Sequence, residues 1–280
     1  MTNLHHIRII LVEPAGALNV GSIARVMKNM GLTQLVIVNP QCDITGEESM
    51  RMSVHAKDLL ETAQIVPDLP TALIGCTRVI ATTARDRAIP TQLETPRRAL
   101  PWLVETSEPA AIIFGREDSG LTNTELNYAG RYLRIPVGSA YSSLNLAQAV
   151  GVCAYELQTC VNGDDVDLTN ASSEIPQQLD IAPVELVEGY YQQLETLLLE
   201  IGYLLPHTAA HRMEKIRRLY NRSQLSPNEV ALLRGILRQV QWAIDTPAKS
   251  WGFWFSWQLR QKGKTLSQFF LVKTGRAKYW

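Results

Sequence analysis

No apolar run in the 280 residues of this chain approaches the ~20 needed to cross a bilayer, so no membrane partner is expected. The N-terminal stretch MTNLHHIRII has no long apolar region followed by a cleavage site. A secretory leader is therefore not expected, and a cytoplasmic location is. The four cysteines, Cys42, Cys76, Cys153 and Cys160, form no CxxC pair and have no histidine at metal-ligand spacing. Reduced thiols and no metal site are expected. No GxGxxG follows the first apolar run, and no acid stands at a convincing ribose distance beyond it, which argues against a dinucleotide-dependent oxidoreductase. Between residues 135 and 204 there is no lysine or arginine, against 10 acids.

That gap belongs to a wider partition. The 27 basic and 27 acidic residues cancel, so the net charge says little. Residues 1–134 hold 13 Lys+Arg and 14 Asp+Glu, whereas residues 205–280 hold 14 Lys+Arg and 3 Asp+Glu, a net of +11. A basic end of this kind suits a polyanion; the alternatives are a solubilising surface or attraction to the acidic middle. An apolar fraction of 46% with 19% charged residues is enough for a full core, in one large domain or two smaller ones.

Arg134 to Tyr155, RIPVGSAYSSLNLAQAVGVCAY, is the stretch around which the first half is organised. A strand end, Leu133–Val137, enters a Gly/Ser turn that opens a helix of small and apolar residues. Ser142 or Ser143 is placed to cap that helix, leaving other N–H donors and the positive helix end to face a ligand. Leu144, Leu146, Ala147, Ala149, Val150, Val152 and Ala154 give it no fully polar face, which predicts burial on most sides. An ordinary crossover helix would show the same apolar character without any ligand.

Further strands are expected at Ile7–Val12, Leu35–Val38, Val79–Thr83 and Ala111–Phe114. Helices are expected from about Asn19 to Met30, around Met52–Ala63, over Pro96–Val104, and from Thr122, where Thr122 and Glu125 spell a capping box. Alternation of this kind predicts an α/β fold, a mostly parallel sheet with helices on both faces. Such sheets bind ligands at the carboxyl ends of their strands, here the loops after Val12, Thr83, Phe114 and Val137. On the first helix Arg25 falls opposite the apolar stripe of Val20, Ile23, Met27 and Met30. Gly21 and Ser22, on its side, leave room for a close approach.

Residues 161–182 are acidic, polar and contain Gly and Pro, and read as a flexible linker or mobile loop. Helices follow at Val184–Leu205, at His211–Tyr220 and from Ser226-Pro227-Asn228-Glu229, making a small all-α extension. The end of the chain interleaves Trp251, Trp254, Trp257, Phe269, Phe270, Tyr279 and Trp280 with Arg260, Lys262, Lys264, Lys273, Arg276 and Lys278. That pattern suits phosphate contacts with base stacking, or packing of the aromatics on the helices. The expected division is 1–160, 161–182 and 183–280.

Three stretches together resemble one family. Asn19-Val-Gly21-Ser-Ile-Ala-Arg25 is similar to the first motif, NxGxxxR, of the SPOUT, or trefoil-knot, RNA 2′-O-ribose methyltransferases. Phe114-Gly115-Arg116-Glu117 with Gly120-Leu121 resembles the second motif, and Ile135-Pro136 with Ser142-Ser143-Leu144-Asn145-Leu146-Ala147 the third. The block His207–Arg238 resembles the C-terminal extension of the TrmJ subfamily, which acts on ribose 32 of the tRNA anticodon loop. The Trp-rich final thirty residues depart from that subfamily's pattern.

The resemblance implies a C-terminal trefoil knot in the first domain, S-adenosylmethionine bent within it, no metal, a tRNA substrate, and a homodimer with its sites at the interface. It implies a catalytic set of Arg25, Asn19, Glu117, Ser143 and Asn145. Donor contacts would come from Thr82, Thr83, Ala84, Gly115, Arg116, Ile135, Ser142, Ser143 and Leu144. Asn19 would fix the loop or Arg25, and Glu117 would orient Arg116 or Arg25. Arg25 would be nearest the reacting hydroxyl. An arginine is a poor proton acceptor, so stabilising a developing alkoxide, with a phosphate clamped, is the preferred role over acting as base. A ribosomal-RNA methyltransferase of the same fold and a catalytically silent RNA-binding knot protein are the rival readings.

Overall fold

The structure is a computed structural model that describes residues 4–84, 93–138, 143–162 and 180–246. After a 3-10 turn at Leu4–His6 come β1 (Ile7–Val12), α1 (Ala17–Asn29), β2 (Gln34–Val38), α2 (Glu47–Ser53) and α3 (Lys57–Glu61). Then follow β3 (Gln64–Val66), α4 (Leu69–Ala72), β4 (Arg78–Thr82), β5 (Leu93–Glu94), α5 (Pro96–Ala99) and α6 (Pro101–Val104). The sheet closes with β6 (Ala110–Phe114), α7 (Asn123–Leu126) and β7 (Arg131–Leu133), and four longer helices follow: α8 (Leu146–Asn162), α9 (Val184–Glu200), α10 (Ala209–Asn221) and α11 (Pro227–Asp245). The chain forms two compact units, residues 1–231 and 232–280. The aromatic-basic end from Trp251 lies outside the described residues.

Seven strands form one sheet in the order β3-β2-β1-β6-β4-β7-β5, and every pairing is parallel. Both faces are covered, which is why β1 is apolar from Ile9 to Val12 and β6 is apolar throughout. Ile7, Ile9, Leu11, Ile112 and Phe114 enter one core with α1 and α8. Ile10, Val12, Ala111 and Ile113 enter the other with α4 and α7. β7 lies between β4 and β5 although it follows both in the chain. The segments around that crossing are described up to Ala84, from Leu93, up to Gly138 and from Ser143.

Four elements differ from expectation. β7 stops at Leu133 rather than Val137; Arg134 N still donates to Glu94 O (2.8 Å), but Pro136 has no N–H to continue the ladder. The helix expected over Met52–Ala63 is two short ones, α2 and α3, because Val54 between them is left-handed (φ 53°). Pro101 splits the Pro96–Val104 helix into single turns α5 and α6. α8 is not buried on most sides. Leu146, Val150, Cys153, Ala154 and Leu157 are buried, but Val152 and Tyr155 are 36% and 57% exposed.

Of residues 161–182, two finish α8, residues 163–179 lie outside the described residues, and the rest are docked. Ala182 N donates to Leu225 O (2.7 Å) and Val184 N to Cys76 O (3.0 Å). Cys76 and Cys153 are buried thiols, and burial pushes them up to about 11 and about 12, so neither is a ready thiolate.

Candidate active site

Loops at the carboxyl ends of β4, β6 and β7 enclose a cavity of about 570 Å³, within the ~300–1,000 Å³ of small-molecule pockets. Thr82, Thr83 and Ala84 come from the first loop, Gly115, Arg116 and Glu117 from the second, and Ile135, Ser143 and Leu144 from the third. Segments far apart in the chain thus share one wall; Ser142 lies outside the described residues. Phe114, Leu133 and Leu146 add apolar surface, and Arg134 a cation. Thr82 Oγ1 donates to Ile113 O (3.0 Å) and Thr83 N to Leu133 O (3.0 Å). The start of the first loop is thereby pinned to its neighbouring strands.

Gly115 shows why a glycine is needed in the second loop. A Cβ there would lie 2.3 Å from the carbonyl carbon of Gly120 and 2.4 Å from Leu121 N, so any larger residue forces the turn open. The turn is clipped by Arg116. Its Nε donates to Glu13 Oε2 (2.7 Å), and Nη1 and Nη2 donate to the two oxygens of Glu125 (3.1 and 3.0 Å). Glu125 also completes the expected capping box with Thr122. Hydrogen bonds from Arg116 and then Asn39 hold the Glu13 carboxyl below its ordinary range, outweighing desolvation.

Beside the cavity is a second hollow, lined by Asn19, Glu117, Ser143, Asn145 and Gln148 among others. Glu117 accepts from Ala15 N (3.0 Å), Gly16 N (3.0 Å) and Asn19 Nδ2 (3.1 Å). Gly16 is the N-cap of α1 and has no side chain to serve it, so a carboxylate from the β6 loop supplies the cap. Burial opposes the charge on Glu117, but the bonds from Ala15, Asn19 and Gly16 outweigh it and hold the carboxyl below 4.5. Asn145 Nδ2 donates in turn to Asn19 Oδ1 (2.9 Å), while Asn145 Oδ1 accepts from Ala147 N (2.9 Å) and Gln148 N (3.4 Å). One network therefore joins the starts of α1 and α8.

Two expected roles change. Asn145, not Ser143, caps α8, because the helix begins at Leu146 and the residue before it reaches the second and third N–H groups. Glu117 orients neither Arg116 nor Arg25, since its oxygens are taken by the α1 terminus and Arg116 is held by Glu13 and Glu125. Asn19 lies in that network and not on Arg25. Arg25 is exposed on α1 and is not on the cavity wall of its own chain. The room expected at Gly21 is filled by α2: a Cβ there would lie 2.3 Å from Ser49 O. Sequence reasoning missed Glu13. Its signal was position alone, the first residue after β1, where ligand-site loops of parallel sheets begin.

Among the described residues no group of three or more His, Cys, Asp or Glu is placed to hold a metal, and no helix is long and apolar enough to cross a membrane. The profile of the SpoU rRNA Methylase family matches residues 6–155, which carry the cavity, the Glu117 network and the sheet. The chain belongs to the SpoU methylase family. Within it the alignment is with TrmJ: the profile of the tRNA methyltransferase TrmJ C-terminal domain matches residues 185–249. The chain is 40% identical over 244 residues to the tRNA (cytidine/uridine/adenosine-2′-O-)-methyltransferase TrmJ of Pseudomonas aeruginosa (strain UCBPP-PA14), covering 85% of this chain and 95% of that one. It is 38% identical to the tRNA (cytidine/uridine-2′-O-)-methyltransferase TrmJ of Pectobacterium atrosepticum, covering 86% and 99%. The crystal structure of TrmJ from Z. mobilis ZM4 superposes with a TM-score of 0.72 at 30% identity, covering 84% of this chain and 98% of that one.

Proposed function

We propose that this SpoU-family methyltransferase moves a methyl group from S-adenosylmethionine to a ribose 2′-hydroxyl of tRNA, at nucleotide 32 of the anticodon loop. The observation that carries the reading is the convergence of the three strand-end loops on one cavity, with the Asn19–Glu117–Asn145 network at its side. The residues present fit such a donor. Apolar walls suit its adenosine, backbone groups of the Gly115 turn allow close approach, and the charged Glu117 suits a cation. The donor supplies a methyl on a positively charged sulfur, which a hydroxyl oxygen displaces in line. What the chain contributes is orientation and charge stabilisation.

Arg25 serves from the neighbouring chain of a homodimer. α1 and α8 pack against each other through their inner, apolar faces. Their outer faces carry Leu18 (44% exposed), Arg25, Val152 and Tyr155. Exposed apolar side chains on two packed helices, with Arg25 on one of them, offer a surface for a second copy to cover, and in a two-fold pairing Arg25 of one chain would serve the cavity of the other. There its guanidinium holds the phosphate and stabilises the developing alkoxide while the hydroxyl proton passes to solvent water and the donor departs as the neutral thioether. Ser143 and Asn145 border the ribose. The 1–160 sheet domain performs the transfer in the knot fold of its family, the 161–182 segment links, and the basic 183–280 extension holds the tRNA. The protein works in the cytoplasm.

The experiment is to incubate the full-length protein and methyl donor with bulk tRNA and separately with ribosomal RNA, and to map 2′-O-methylation by nucleotide. Label at position 32 of tRNA is expected. Label in ribosomal RNA alone, or none with no heat of donor binding, would replace this reading with one of its two rivals.

A further inference from the structure

We propose that Glu13 is a positioning residue for the methyl transfer: from outside the cavity it fixes Arg116, and through Arg116 the Gly115–Leu121 turn that walls the donor. The inference rests on the methyltransferase reading above.

Glu13 does not line the cavity. It sits directly after β1 in the left-handed region, at φ 47°, where glycine is the residue of least strain. A glutamate held there needs a reason, and backbone strain of this sort gathers near functional sites. The reason lies in its carboxylate. One oxygen takes the Nε–H of Arg116 at 2.7 Å. The other accepts from Asn39 Nδ2 (3.3 Å), itself a left-handed residue at φ 44° after β2. The loop bearing Glu13 is held by Glu13 N donating to Val38 O (2.8 Å) and Gln41 N donating to Pro14 O (3.0 Å).

Arg116 directs its donors to protein acceptors: Glu13, both oxygens of Glu125, and Gly120 O (3.4 Å). It is therefore a strut across its own turn, although its side chain is on the cavity wall. The grip is also reciprocal. Glu13 of the β1 loop holds the β6 loop by Arg116, and Glu117 of the β6 loop holds the β1 loop by Ala15 N and Gly16 N. Two carboxylates pointing in opposite directions register the donor wall against the start of α1, the helix that carries Asn19 and Arg25. Loss of Glu13 leaves Arg116 anchored on Glu125 and its own turn, and frees that turn to shift relative to the helix. The bidentate Arg116–Glu125 pair fixes the guanidinium within its own turn, and the single charge-assisted bond to Glu13 sets that turn against the β1 loop.

The test uses full-length Glu13→Ala and Glu13→Gln, with Asn39→Ala as a control that removes only the longer bond. Donor affinity is read by calorimetry, and kcat, KM for donor and KM for tRNA from methyl transfer, beside the melting temperature. Glu13→Ala should raise the donor Kd and KM about tenfold and lower kcat, with KM for tRNA unchanged. Glu13→Gln keeps an acceptor for Arg116 Nε and should fall between; Asn39→Ala should stay near wild type. Should Glu13→Ala fail to fold, Glu13→Gln alone decides. Unchanged donor affinity, or a loss in which tRNA KM and melting temperature move in step with it, overturns the proposal. Wild type that binds no donor fells the methyltransferase reading itself, whereas wild type and Glu13→Ala that bind equally well fell only this inference.

Discussion

Two ends of the first unit use the same chemistry to opposite effect. At the carboxyl ends of β4 and β6, Arg116 is clamped between two carboxylates at the edge of a cavity of about 570 Å³. At the amino ends of β4 and β7, Arg217 is clamped by both oxygens of Glu188, and its guanidinium lies 4.6 Å from the Tyr191 ring centroid. That second cluster encloses only about 70 Å³. Tyr191 Oη donates to Asn221 Oδ1 (2.7 Å), and Asn221 Nδ2 to Asn127 O (2.7 Å), so the joint ties α9 and α10 to the turn after α7. An arginine–carboxylate pair fastens loops beside a cavity at one end and closes helices together at the other. Tyr190, Tyr191 and Tyr220 fill the closed end, while the open end is walled by loop backbone with Phe114, Leu133, Ile135 and Leu144 around an unfilled space.

The difference separates chemistry from stability, and substitutions can break it. Arg25→Ala should lower kcat by about 10²–10³-fold, with donor binding and melting temperature unchanged; a fall in melting temperature to match would mean that Arg25 supports the fold. Gly115→Val should weaken donor binding about ten- to a hundredfold, because overpacking costs ~1–3 kcal/mol and acts here on the turn alone. Calorimetry with S-adenosylmethionine decides it, and undiminished affinity would remove the turn from the donor wall.

Glu117→Gln sharpens the comparison, since it touches both properties. Loss of the charged cap on α1 should cost about 1 kcal/mol and lower kcat through Asn19. Because the folded carboxyl lies below 4.5, its stabilisation is complete above that value and is lost as pH falls through the lower folded value. The melting-temperature gap between wild type and Glu117→Gln should therefore narrow as the pH is taken below 4.5. A gap that widens on acidification contradicts the assignment. Tyr191→Phe, at the closed end, should cost about 1 kcal/mol of stability by removing the hydroxyl that donates to Asn221 Oδ1, with donor affinity untouched. A change in donor affinity there would show that the two ends communicate.

Much of the first unit is legible in the residues. β1 and β6 are apolar on both faces because both faces are covered, and Thr122 with Glu125 spells its cap locally. Elements whose boundaries depend on neighbours are not. β7 ends where β5 ends, which no run of residues states. Val54 and Pro101 break helices that periodicity alone continues. At the site, the motifs name which loops meet but not which side chain answers which. Asn145 takes the cap expected of a serine because the helix starts at Leu146, directly after it. Glu117 turns to α1 because Gly16 leaves that terminus bare. Glu13 is marked in sequence only by its place after β1, because its partner is 103 positions away.

The shared site is the claim on which the rest depends, and mixing two disabled chains tests it most directly. Arg25→Ala chains keep the donor cavity, and Gly115→Val chains keep Arg25. Co-refolded in equal amounts and assayed on tRNA at a donor concentration where each alone is inactive, they should regain about a quarter of wild-type activity, as random two-fold pairing gives. No recovery, with mixed dimers demonstrably formed, would place Arg25 in its own chain's site or outside the reaction altogether.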